Sequence, residues 1–94
     1  MQIGLLWFDN NPGRALETKV EDAAHCYRQK FGLVPDTCYV NRAALNGSEF
    51  TILFHEVKGV ILAKPRTLRV MPAANILPHH FWIGIEQDQG PKAA

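Results

Sequence analysis

Residues 14–31 most limit how this chain can fold, because Leu16, Val20, Ala23, Ala24, Tyr27 and Phe31 recur at intervals of three and four. At about 100° per residue these side chains fall within roughly a 100° arc, the width of a helix face that covers a sheet. Glu17, Thr18, Glu21 and Asp22 fall on the flanks or the outer face. Asn11 ahead of Pro12 predicts an N-cap followed by a first-turn proline. Gly32 predicts the left-handed residue that ends the helix, with Leu33 folding back toward Tyr27 or Arg28. Pro35 bars continuation, because its ring and missing N–H are incompatible with a further helical turn.

Strand patterns surround this helix. Residues 3–8 are apolar on both faces, Ile3, Leu5 and Trp7 on one and Leu6 and Phe8 on the other. Such a run suits an interior strand covered from both sides, and Gly4 permits a close approach of the helix or a neighbouring chain. Residues 37–40 supply a second strand, most simply parallel to the first by a right-handed crossover. Asn41 then caps a short helical turn that ends near Gly47. From residue 49 to 57 the period becomes two, with Phe50, Ile52 and Phe54 opposite Thr51, Leu53 and His55. Lys58-Gly59 predicts a hairpin turn into 60–63. Pro65 is expected to end that strand, and 67–71 to form another, Leu68 and Val70 inward and Arg69 outward. Residues 80–86 alternate again, Phe81, Ile83 and Ile85 against His80, Trp82, Gly84 and Glu86.

The expected class is therefore α+β: a β-α-β unit, then a mostly antiparallel β-meander, one main helix on a five- to six-stranded mixed sheet. Residues 1–87 make one domain and 88–94 a disordered tail. A chain of 94 residues with 47% apolar and 20% charged residues suits a single folded domain with a modest core. The net charge of +1 provides no global attraction to nucleic acid, membrane or acidic substrates. No apolar run reaches the ~18 residues of a membrane span. The opening MQIGLLWFDN lacks a basic region and a small-residue cleavage site, so a cytoplasmic location is expected. Cys26 and Cys38 show no CxxC spacing and are expected to be reduced structural thiols. One helix covers one side of such a sheet, while Trp82, Leu53 and Trp7 or its neighbours load the other; a homo-oligomer is expected to cover it.

Four constellations could carry chemistry. If the first two strands are parallel, their carboxyl ends bring Asp9, Asn10, Asn11, Asn41 and Arg42 to one edge, beside a helix N-terminus, where phosphate or a metal-bound ligand could sit. The same residues also suit turns and caps. Next, Pro35-Asp36 followed by Glu56-Val57-Lys58 resembles the signature of restriction-endonuclease-like nucleases. That resemblance, carried by five residues, implies a Mg²⁺ site on Asp36 and Glu56, with Lys58 positioning or activating the attacking water. Read structurally, Asp36 is a turn residue opening a strand and Lys58 belongs to the turn with Gly59. His55 and His80 could meet across strands and, with Glu86, form a two-histidine, one-acid metal set, or could simply be polar residues on a sheet face. Finally, Lys58, Lys64, Arg66 and Arg69 concentrate positive charge near a hairpin, with Trp82 available to stack a base. Cations at strand margins also discourage edge-to-edge aggregation.

There is no nucleophile elbow, P-loop or dinucleotide fingerprint. The sequence therefore favours a small binding or accessory module that works as a homo-oligomer, with no cofactor, over an enzyme. A further protein partner is compatible with this reading. A Mg²⁺-dependent nuclease and a nucleic-acid-binding module are the alternatives.

Overall fold

Helix α1 runs over Leu16–Phe31 and buries Val20, Ala23, Ala24 and Tyr27, the face that the spacing predicts. The structure, a computed structural model, describes residues 4–45, 48–57 and 59–86. The expected tail 88–94, like Ile3, Gly47 and Lys58, lies outside the described residues. Gly32 ends the helix at φ 76°, and its N–H donates to the carbonyl of Arg28. The helix starts later than Asn11 predicts. Ala15 stands at its N-cap, with no side-chain cap bond. Asn11 instead closes a tight turn, accepting the N–H of Gly13 on its Oδ1 at 2.9 Å. Short polar side chains serve such turns as readily as caps, and Pro12-Gly13 favours the turn.

Among the described residues the sheet has five strands: β1 (Gly4–Phe8), β2 (Thr37–Asn41), β3 (Phe50–Val57), β4 (Val60–Ala73) and β5 (His80–Gly84). A short 3₁₀ turn, Arg42–Leu45, follows β2, and the N–H of Ala43 donates to Asn41 Oδ1. The strand order is β1-β5-β2-β4-β3. β5 is antiparallel to both β1 and β2, β2 is parallel to β4, and β3 is antiparallel to β4. This is the α+β class read from the sequence, one helix on a mixed sheet. β1 and β2 run in the same direction, as a β-α-β unit demands, but the last strand is inserted between them.

Two expectations change with this order. β1 is an edge strand, not an interior one. Its doubly apolar pattern arises because Leu5 and Trp7 pack on the core while Leu6 and Phe8 remain more than half exposed on the other face. β4 also continues through Pro65. The ladder passes from Phe54↔Arg66 to Glu56↔Ile61, which leaves residues 62–65 outside regular pairing. β2 pairs with β4 only from Arg69 onward, so the missing proline N–H is not needed on either side.

The core lies between α1 and one sheet face. Cys38, Val40, Phe54, Leu68, Val70, Phe81 and Ile83 line it, joined by Leu45 and the helix residues. Alternation or helical spacing groups these residues on common faces, except Cys38 and Val40, which the sequence places only in a strand, and Leu45, which reaches the core from the 3₁₀ turn. Among the described residues, no helix is long and apolar enough to cross a membrane.

Candidate functional site

The carboxyl edge of β1 and β2 carries the first constellation, and there most side chains are engaged within the fold. Asp9 Oδ1 accepts the N–H of Asn11 at 2.9 Å, and its other carboxylate oxygen lies 3.6 Å from Arg14 Nε. Arg14 also pairs with Asp22 of α1, so one guanidinium ties the β1–α1 connection to the first turns of the helix. Lys19 Nζ donates to the Asp9 carbonyl at 3.3 Å. Asn41 Nδ2 donates to the carbonyl of Ile76 at 2.8 Å, and Asp9 N–H to that of His79 at 3.0 Å. The loop 74–79 that leads into β5 thus bonds to both strand ends and occupies the gap where a parallel pair would leave a crevice. Asn10, Asn11 and Arg42 are exposed around it.

The Asp36 carboxylate sits at the opposite edge. Its Oδ1 accepts both the Thr37 hydroxyl at 2.8 Å and the backbone N–H of Glu86 at 2.9 Å. Its own N–H donates to the Gly84 carbonyl and its carbonyl accepts from Arg69 N–H. Asp36 therefore binds the start of β2 to the end of β5 and to β4. Glu56 is exposed and pairs with Ile61 beyond the irregular stretch. By register it lies four residues further along β3 than the level of Asp36, about 13 Å, and two strands across, about 10 Å. The structure does not bring these two carboxylates together, and Lys58 lies outside the described residues.

His80, Glu86 and His55 are likewise spread out. His80 opens β5 and packs its ring against Phe8, centroids 4.9 Å apart, with Nδ1 2.9 Å from the Pro78 carbonyl. Glu86 follows the other end of β5, about 20 Å away at strand rise, where its carboxylate accepts the Tyr39 hydroxyl at 3.1 Å. His55 is exposed on β3, the far edge strand. Among the described residues, no three His, Cys, Asp or Glu side chains gather as metal ligands.

The cations divide between the two faces. Alternation from buried Leu68 sends Arg66 to the helix side and Arg69 to the other. Lys64 and Arg66 border a cleft with Arg28 of α1, whereas Arg69 and Trp82 share the uncovered face.

That uncovered face holds what sequence reasoning did not assemble. The register aligns Leu6 with Trp82, Trp82 with Tyr39, and Tyr39 with Met71, a continuous row from four neighbouring strands. Below it the register continues through Gly4, Gly84, Thr37 and Arg69. A Cβ on Gly4 would meet Trp82 Cζ2 at 2.9 Å and Cε2 at 3.0 Å, so the indole reaches over β1 at the glycine. Desolvation, then the bond to Glu86 and its negative charge, hold the Tyr39 hydroxyl above its ordinary pKa, with Arg69 opposing. Alternation alone puts each of these residues on this face; only the strand order makes them a row.

No known protein family, curated protein or solved structure matches the chain.

Proposed function

We propose that this protein is a cytoplasmic binding module that self-associates through the uncovered face of its sheet. One observation carries the reading: the row Leu6–Trp82–Tyr39–Met71 places two aromatic side chains between two aliphatic ones on the side that α1 leaves open. Exposed Phe8 and Leu53, at 54% and 57%, extend the apolar surface above and beside it. A patch of this kind is normally covered.

The pattern also favours a second copy as the cover. A two-fold axis parallel to the strands, between β5 and β2, sets Leu6 against Met71 of the other copy and Trp82 against its Tyr39. The contact is isologous, each half supplying what the other needs. The same operation brings Arg69 over the other copy's Gly4, where the Trp82 indole lies, a cation on an aromatic surface. Five strands of five residues project about 400 Å² by strand spacing and rise. With side-chain relief this approaches the low end of stable interfaces, roughly 600 Å² per partner. The free thiols of Cys26 and Cys38 suit a reducing compartment.

Sedimentation velocity or light scattering over a concentration series tests the reading. A dimer is expected at micromolar concentration, with Leu6→Glu and Met71→Glu each weakening it about tenfold or more by burying a charge. Both residues lie on the uncovered face, so the variants should remain folded by circular dichroism. A wild-type protein that stays monomeric throughout would refute it.

A further inference from the structure

A cleft of about 460 Å³ opens on the helix side of the sheet, between the C-terminal end of α1 and the outer part of β4. Arg28, Lys64 and Arg66 border it, together with the apolar side chains of Leu33, Ile61 and Ile85. Among the described residues no carboxylate lines it, and none of the three cations is in an ion pair. Leu33 and Ile61 are 55% and 80% exposed. Uncompensated like charges beside uncovered apolar surface are unfavourable on both counts, and one kind of ligand relieves both.

We infer that this cleft binds a small amphiphilic anion, an apolar body carrying one carboxylate or phosphate monoester. The volume falls within the ~300–1,000 Å³ range of small-molecule sites. The apolar body covers Leu33, Ile61 and Ile85, and the head group takes charge-assisted hydrogen bonds from the guanidinium and ammonium groups. The carboxyl end of α1 opposes an anion with only about half a charge, and the basic residues Arg28 and Lys30 in its last turn offset it. A strand passing through Pro65 shapes the wall. Residues 62–65 leave the ladder there, which frees this stretch of β4 to border the cleft.

Calorimetric titration with decanoate, decyl phosphate and neutral decanol tests the inference at low salt. Saturable binding of either anion is expected, with decanol about tenfold weaker or worse because it lacks the charge-assisted bonds. Arg28→Gln, Lys64→Gln and Arg66→Gln should each weaken the anions about three- to fivefold, the worth of an exposed charge pair. Ile61→Asn should weaken anions and decanol alike. Leu6→Glu, on the opposite face, should leave binding unchanged, so failure of self-association and failure of this site are separable. Equal binding of decanol and decanoate overturns the inference. So does insensitivity to all three cation substitutions, or no saturable binding by protein that remains folded.

Discussion

Gly4→Ala isolates the contact on which the uncovered face is built. Gly4 lacks positive φ, so alanine is acceptable to the backbone, and reduced freedom of the unfolded chain should stabilise it by about 0.5–1 kcal/mol. Against this, the new Cβ would lie 2.9 and 3.0 Å from two indole carbons of Trp82 and 3.1 Å from the Ile83 carbonyl oxygen. Such distances force the ring away from β1, and overpacking of this kind costs about 1–3 kcal/mol. The net expectation is a loss of about 1–2 kcal/mol, or roughly 5–15 °C in Tm for a domain of this size. Urea denaturation followed by circular dichroism measures it. The decisive arm repeats the substitution in Trp82→Leu, where the ring is gone and Gly4→Ala should become neutral or mildly stabilising. That difference is a coupling of about 1–3 kcal/mol between contacting residues. An equal loss in both backgrounds would refute the indole argument and assign the cost to the Ile83 carbonyl.

Other expectations address single residues. Asp36→Ala removes the acceptor shared by Thr37 and Glu86 N–H and should lower stability by about 1.5–3 kcal/mol, measured by urea midpoint; a loss below ~0.5 kcal/mol would mean the clamp is idle. Gly32→Ala meets open space but keeps φ at 76°, so a cost of about 1–2 kcal/mol should come from backbone strain alone. Burial pushes the Cys38 thiol from 9.0 to about 12, and desolvation first and Glu86 second raise the Tyr39 hydroxyl. Both groups keep their protons longer when folded. Their stabilising contribution is complete below the unfolded pKa values, near 9 for the thiol and about 10 for the phenol. It is lost as pH rises through the folded values. Denaturation midpoints should therefore fall steeply between pH 9 and 12, and Cys38→Ala should flatten that slope whatever it does to stability at neutral pH. Thiol labelling at pH 8 should modify partly exposed Cys26 well before buried Cys38, and equal rates would contradict the burial of Cys38.

Side-chain period was legible in this chain wherever it was long. Sixteen residues of α1 declare one face and a glycine stop, and the alternation in β3, β4 and β5 assigns inward and outward residues correctly. Punctuation was less legible. Asn11 has equal chemistry for a cap and a turn, and Pro65 ends a strand only if its N–H is required, which depends on partners elsewhere. Strand order was not legible at all. Nothing in residues 80–84 says that they slot between β1 and β2, because every apolar strand would profit from a central position. The candidate sites inherit that gap. Asp9 and Asn41 do share an edge, but β5 and its loop fill the space between them. The helix pattern names Arg28 only as a residue for Leu33 to fold back on, and its nearness to Lys64 and Arg66 is what makes a cleft. Row and cleft alike depend on contacts between residues far apart in the chain.

The insertion of β5 also governs when this fold can exist. Its pairing joins Gly4 to Gly84, almost the whole described length, and closes the sheet on both flanks at once. Until those residues are present, β1 has no partner strand among the described residues and β2 lacks one of its two. An emerging chain therefore carries an unpaired apolar strand from the synthesis of β1 until that of β5, which favours slow folding and exposes an edge that other chains can take. Of the described strands, the one made last decides whether the earlier ones belong to a sheet.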